Sequence, residues 1–128
     1  TAVALAGLAA ILERGAVRPL LIATDKNPHA VTCSSAVLAH CNAECVRTSF
    51  ASGLRLDGMV DVGLCNPPYV PTPEEEMEGF GIEISWAGGE RGRVMIDSLL
   101  PLLPRWLSPK GIFYLVCLAD KAPEELLA

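Results

Sequence analysis

The four consecutive residues Asn66-Pro67-Pro68-Tyr69 are the stretch of this chain best suited to chemistry. They follow directly on the apolar run Met59-Val60-Asp61-Val62-Gly63-Leu64-Cys65, which reads as a strand. Two successive prolines restrict the backbone and remove two N–H donors, so the chain leaves the strand in one rigid turn. Asn66 offers a side-chain oxygen and Pro67 a carbonyl, and together they can accept both N–H hydrogens of a planar amide or aromatic amine. The lone pair of such a nitrogen is delocalised and weakly nucleophilic. Acceptors on both hydrogens orient the nitrogen and favour the geometry in which its lone pair localises. Tyr69 can stack on the planar group, and Pro68 completes the wall beside it. The chemistry that suits this clamp is in-line attack of the nitrogen on a methylsulfonium, with no covalent enzyme intermediate and no metal. The competing reading is a proline-rich loop with a structural asparagine.

Asp25 is the second such position. It ends the continuous apolar run Pro19-Leu20-Leu21-Ile22-Ala23-Thr24-Asp25, which reads as a parallel strand covered on both faces. A carboxylate at a strand end, with a helix starting just after it, can accept hydrogen bonds from both ribose hydroxyls of a bound nucleoside. It can equally cap the helix that follows. Asn27 before Pro28 already suits that cap, with Pro28 at the first helical position, which favours the ribose role.

The elements that position these residues alternate between helix and strand. Ala2 to Glu13 reads as a helix apolar on every face, hence buried, stopping at Gly15. The helix opened by Asn27-Pro28 runs to about Asn42, and a brief strand follows at Cys45–Thr48. After the Asn66–Tyr69 turn, a helix over Gly92–Leu107 is bent or broken by Pro101 and Pro104. Ser108–Gly111 reads as a turn, Ile112–Leu118 as another buried strand, and Pro123-Glu124-Glu125 as the start of a last helix. Such alternation predicts an α/β fold with a mostly parallel sheet and helices on both faces. No repeat, low-complexity segment or interdomain linker interrupts it, so residues 1–128 read as one catalytic domain, in part.

Composition narrows the class. Hydrophobic residues make up 51% of the 128, with a mean hydropathy of +0.36, which excludes disorder and suggests surface meant to be covered. No apolar run approaches the roughly 18 residues a membrane helix needs. The start at Thr1 lacks an initiator Met and a basic leader, and reads as a cut end inside a longer protein. A net charge of −5 and a pI near 4.9 speak against a stand-alone nucleic-acid binder. The cysteines Cys33, Cys41, Cys45, Cys65 and Cys117 form no Cys-x-x-Cys pair and read as reduced, buried thiols of an intracellular protein. His40-Cys41 with Cys45 lacks the second half of a metal site, so no metal is expected.

The run Asn66-Pro67-Pro68-Tyr69-Val70, with Trp86-Ala87-Gly88-Gly89 and Gly92-Arg93 downstream, resembles the HemK-like protein-glutamine methyltransferases. It is most similar to the eukaryotic branch acting on the Gly-Gly-Gln loop of the translation termination factor. Thr24-Asp25, Asn27-Pro28, Leu107–Gly111 and Phe113–Val116 also resemble that branch, so the similarity covers nearly the whole chain. The Asn-Pro-Pro-Tyr motif is shared with DNA and RNA amino-methyltransferases; the Trp-Ala-Gly-Gly segment is more specific.

The resemblance implies a Rossmann-like class I fold and S-adenosylmethionine as methyl donor. It implies that Asp25 holds the cofactor ribose and that Asn66 touches both cofactor and target amide. Ser49-Phe50 falls where the family has an Asp followed by an apolar residue beside the adenine, so Ser49 is a departure. The family's glycine-rich loop and central first strand would precede Thr1. A small zinc-binding activator subunit is implied at the edge strand near Cys45–Thr48, and the cytoplasm, with the nucleus second, as the compartment.

Other features carry less. Glu74-Glu75-Glu76 and Glu78, just past the motif, read as a solvated face that would repel phosphates and welcome a basic protein segment. Arg91 and Arg93 suit either substrate or a neighbouring carboxylate. Trp86 reads as packing, and Gly88 and Gly89 as tight turns. Two rival functions remain open: an N6-adenine methyltransferase acting on DNA or RNA through the same motif, and a non-catalytic, degenerate methyltransferase module. The acidic balance disfavours the first and the intact Asn66–Tyr69 motif the second.

Overall fold

The computed structural model of the chain describes residues 2–77 and 81–118. The polypeptide divides into two compact units, 1–55 and 56–128.

In the first unit, α1 (Val3–Arg14) is followed by β1 (Leu21–Asp25), α2 (Pro28–Val37) and β2 (Ala43–Arg47). β1 and β2 pair in parallel, Leu21 opposite Ala43 and Asp25 opposite Arg47. The core is small: Ala2, Ala9, Leu21 and Leu38, with Leu5, Ala6, Cys41 and Cys45 against it. Alanines on the inner face of α1 let the helix approach the strand closely, since they present little beyond the backbone.

The sequence reading is corrected here in several places. α1 is not buried all round: Val3 and Ile11 are 63% and 66% exposed, because only one face meets β1 and α2. Gly15 does end α1, but the left-handed residue is Ala16, at φ 61°. The Ala16 amide donates to the Glu13 carbonyl and the Val17 amide to that of Leu12, a Schellman closure with alanine in glycine's usual place. β1 begins at Leu21, and of its residues only Leu21 is buried, so it is not covered on both faces within the described residues. α2 stops at Val37 rather than Asn42, turning where the Cys41 amide donates to the Leu38 carbonyl. β2 spans Ala43–Arg47, starting two residues and ending one residue earlier than read.

In the second unit, β3 (Val60–Cys65) pairs in parallel with β4 (Leu107–Leu115). Between them lie single turns of 3₁₀ helix at Glu74–Met77 and Ile82–Ser85, then α3 (Val94–Leu99), a 3₁₀ turn at Leu100–Leu102, and α4 (Leu103–Trp106). The helix read over Gly92–Leu107 is indeed broken at its prolines, since Pro101 and Pro104 cannot donate to the helical ladder. Ile96, Leu99 and Leu103 are its buried residues, with Ala87 also inside.

Ser108–Gly111 belongs to β4 rather than to a separate turn. Val60 faces Leu107 and Val62 faces Ile112, so Asp61 alone stands opposite the intervening residues. That extra length bulges out of the ladder, Pro109 having no N–H to give, and the Ser108 hydroxyl bonds Asp61 Oδ1 at 2.8 Å. Ladder pairing ends at Leu115 instead of Leu118. The helix expected from Pro123 lies outside the described residues. Among the described residues no helix is long and apolar enough to cross a membrane.

Candidate active site

β3 delivers the Asn66 turn. The strand pairs with β4 as far as Cys65 opposite Leu115, and one further bond, Val116 amide to Cys65 carbonyl at 2.9 Å, ties the backbone immediately before Asn66. Past that bond no peptide is cis, so both proline turns are trans. Pro67 is buried, Pro68 and Tyr69 are half-buried, and Asn66 is exposed. The order has a physical reason: the apolar rings anchor the turn and leave the polar head outside.

Among the described residues the Asn66 side chain makes no hydrogen bond, and nothing donates to the Pro67 carbonyl. Both acceptors required by the sequence reading are therefore unspent. Cys65, one residue before, is no competing nucleophile, for burial pushes its thiol up to about 11 and leaves it protonated at neutral pH.

The turn is closed on its far side by Trp86–Gly89. The Val70 amide donates to the Trp86 carbonyl at 2.9 Å, and the Gly88 amide donates to the Val70 carbonyl at 2.7 Å. The Thr72 amide donates to the Gly89 carbonyl at 3.0 Å, while the Gly89 amide donates to Thr72 Oγ1 at 3.3 Å. Trp86 is 43% exposed, so its part is the backbone carbonyl rather than buried packing. Arg93 is buried, and its guanidinium reaches Asp97 Oδ1 at 3.0 Å, one helical turn on. Of the two partners open to it in the sequence, the structure shows the carboxylate. Beside the motif lies a cleft of about 570 Å³ lined by Pro71, Thr72, Pro73, Glu75 and Glu90. Thr72 is the residue that sequence reasoning missed. Its place two residues after a Tyr-Val pair was a faint signal, because threonine hydroxyls commonly bond backbone near turns.

In the first unit, Asp25 stands half-buried at the end of β1. Of the two roles weighed for it, the structure shows only a local bond to the turn before α2. The Asn27 amide donates to Asp25 Oδ1 at 2.8 Å, while Asn27 Oδ1 accepts from the His29 amide at 2.9 Å as the true cap of α2. Asp25 Oδ2 makes no hydrogen bond among the described residues. The Thr48 amide donates to the Asp25 carbonyl at 3.0 Å, bringing the turn after β2 to the same end of the pair. Ser49 there is exposed, and its carbonyl accepts from the Ser52 amide at 3.0 Å. Phe50 is half-buried in a left-handed conformation, φ 49°. A carboxylate with one oxygen held by its own turn and the other open fits a diol-bearing ligand, and Phe50 offers an apolar neighbour for a base. Ser49 brings no charge.

All five cysteines are free thiols; Cys33 is exposed and the other four are half-buried, so full burial is corrected. Another cavity, of about 630 Å³, opens at the opposite end of β1, with Glu13, Arg18, His40 and Cys41 in its lining. It holds none of the predicted site residues. Among the described residues no three His, Cys, Asp or Glu side chains converge as metal ligands.

No protein-family model matches the chain. Over 114 residues it is 46% identical to Methyltransferase HEMK2 of Mus musculus, covering 85% of this chain and 53% of that protein. It is 46% identical over 76 residues to the eRF1 methyltransferase catalytic subunit mtq2 of Schizosaccharomyces pombe, 58% of this chain and 33% of the relative. To the Release factor glutamine methyltransferase of Mycobacterium tuberculosis it is 38% identical over 61 residues, 45% of this chain and 20% of the relative. The chain spans about half the length of the HEMK2 proteins it matches. The chain is mixed α/β with parallel strand pairs, one strand running into Asn-Pro-Pro-Tyr, and the relatives it matches are methyltransferases. The chain belongs to the HEMK2/Mtq2-like family of protein glutamine methyltransferases.

Proposed function

We propose that the protein containing this chain transfers a methyl group from S-adenosylmethionine to the side-chain amide nitrogen of a protein glutamine, in the Gly-Gly-Gln loop of a translation termination factor. The observation that carries the reading is the proline-stiffened segment whose Asn66 side chain and Pro67 carbonyl make no hydrogen bond among the described residues. The relatives' names support the substrate: an eRF1 methyltransferase subunit and release factor glutamine methyltransferases.

When bound, the cofactor supplies an electrophilic methyl group on a positively charged sulfur. The protein's part is orientation. Asn66 Oδ1 and the Pro67 carbonyl each accept one N–H of the glutamine amide, which removes the nitrogen's rotational freedom and lets its lone pair localise. Tyr69, half-buried and backed by Pro68, offers a face to the planar amide. As the nitrogen bonds the methyl carbon and the C–S bond breaks, leaving a neutral thioether, the nitrogen becomes cationic until one of its hydrogens departs as a proton to water. Both acceptors interact with those hydrogens more strongly than before, so the effect falls on the rate rather than on affinity alone. Asp25 Oδ2 accepts from ribose hydroxyls, with Phe50 beside the adenine and Ser49 in place of the usual carboxylate. The class I methyltransferase fold and a single partial catalytic domain over residues 1–128 belong to the same proposal, supported by the parallel pairing in each unit.

A small activator subunit would pair along β2, whose edge away from β1 has no partner strand among the described residues. Free cysteines suit a reducing compartment, cytoplasmic or nuclear.

The full-length protein with its activator should be given a termination-factor peptide, duplex DNA and single-stranded oligonucleotides, and labelled methyl groups counted in each. Labelled glutamine is expected in the peptide alone. Labelled nucleic acid with an unlabelled peptide would replace this reading with the adenine one. No label anywhere from intact, cofactor-binding protein would favour the degenerate module.

A further inference from the structure

The Asn66–Tyr69 turn does not stand by itself, and its support is built from backbone. Trp86–Gly89 meets Val70–Thr72 through four hydrogen bonds between 2.7 and 3.3 Å, three of them backbone to backbone and the fourth to the Thr72 hydroxyl. Contact at Gly88 is closer still. A Cβ placed there would lie 2.7 Å from the Gly92 Cα, a distance side chains do not tolerate, and 3.0 Å from the Tyr69 carbonyl carbon, a tight contact. Gly88 is therefore pressed against the last residue of the motif itself. Gly89 takes φ 75°, and its carbonyl accepts from both Thr72 and Gly92, so the loop folds back over the turn. The Val94 amide donates to the Gly88 carbonyl at 3.2 Å, joining the loop to the start of α3 and so to the buried Ile96.

We propose that Thr72 and Gly88 are positioning residues: they fix Tyr69, and through the proline turn Asn66, in the geometry that receives the target amide. The proposal rests on the methyl-transfer reading above. Neither residue touches substrate. Thr72 works by giving the Gly89 amide an acceptor it would otherwise lack, and Gly88 by allowing an approach that any side chain would push apart. The Trp86–Gly92 loop is thus a template for the turn, set by backbone shape.

The test compares the full-length protein, with its activator, as parent and as Thr72→Val, Thr72→Ser and Gly88→Ala. Thr72→Val keeps the shape and removes the hydroxyl, and is expected to lower kcat about tenfold, the scale of one lost hydrogen bond felt at the transition state. KM for S-adenosylmethionine is expected to hold, while the melting midpoint falls by a few degrees, because the buried Gly89 amide loses its acceptor. Thr72→Ser is expected to recover parental kcat. Gly88→Ala is expected to lower kcat about 10²-fold, as displacements near 1 Å do at reacting atoms.

Hydrogen exchange at the Val70 and Gly88 amides gives a readout independent of activity. Both are expected to exchange faster in Thr72→Val while β3 and β4 amides keep the parental rates. Parental kcat in Thr72→Val, or a serine variant as slow as the valine one, overturns the positioning role. A parent that methylates nothing refutes the methyl-transfer reading, and exchange then decides the template: unchanged Val70 and Gly88 rates sink it, accelerated rates sustain it.

Discussion

Replacing Asn66 by alanine separates function from stability better than any other change in this chain. The side chain is exposed and has no hydrogen bond among the described residues, so its removal leaves no buried group unsatisfied and opens no cavity. Surface changes of that kind stay within about 0.5 kcal/mol of the parent. The turn is held from elsewhere: by the buried Pro67, by the bond from the Val116 amide to the Cys65 carbonyl, and by the bonds to Trp86 and Gly88. The catalytic cost has another origin. With Asn66 gone, one of the two amide hydrogens loses its acceptor just as the nitrogen gains positive charge. Loss of one preorganised polar group at a reacting centre costs about 10²–10³ in rate, or about 2.7–4 kcal/mol. Single-turnover transfer of labelled methyl to a termination-factor peptide, alongside thermal melting, measures both terms. Near-parental single-turnover rates in Asn66→Ala would refute the amide clamp. A large fall in melting midpoint would instead refute the claim that this side chain is structurally idle.

Other consequences follow from packing and from titration. Gly63→Ala should destabilise the second unit by about 1–3 kcal/mol in denaturant melts, the usual cost of overpacking; its Cβ would run into the Phe113 ring on the paired strand. Asn27→Ala removes the cap of α2 and should cost about 1 kcal/mol by the same measure. Gly7→Ala, exposed in α1 with nothing within 4 Å of the new methyl, should stabilise by about 0.5–1 kcal/mol. Cys65 has a raised folded-state pKa, so the folded protein holds its proton longer than the unfolded chain. Stability should therefore be complete below the ordinary thiol range and decline between about pH 9 and 11, a decline that Cys65→Ala removes in melts across that range.

How much was legible from residues alone depends on whether the determining interaction is local. The cap at Asn27, the helix start at Pro28 and the break at Pro101 are written in single residues, because each acts within one turn of its own position. β3 and the Asn66 turn were equally readable: an apolar run meeting two prolines admits few conformations. The errors lie where a distant partner decides. The end of α2 depends on a tight turn at Leu38–Cys41, and the assignment of Ser108–Gly111 on a bulge against β3, where the Ser108 hydroxyl bonds Asp61 across strands. Burial was overestimated for the same reason. An apolar helix face declares that it is costly to expose, yet not what covers it, and Val3 and Ile11 remain open among the described residues.

The candidate site divides along the same line. Asn66, Pro67 and Tyr69 could be picked out because rare residue types occur in a fixed order after a strand, and rigid order is itself a physical signal. Asp25 was ambiguous in sequence because a carboxylate has two oxygens: one bonds the local turn, and the other makes no hydrogen bond among the described residues, so the proposed ribose role does not compete with the turn. Thr72 left only a faint mark in the sequence, and Gly88 read only as part of a tight turn. A threonine after proline and a pair of glycines suit any loop, and their importance arises only when Gly88 is found against the Tyr69 backbone. Residues that touch substrate must have particular chemistry, and so leave marks in composition. Residues that hold those in place need only fit, and fit between segments sixteen or so positions apart, like Thr72 and Gly89, is a property of the folded chain.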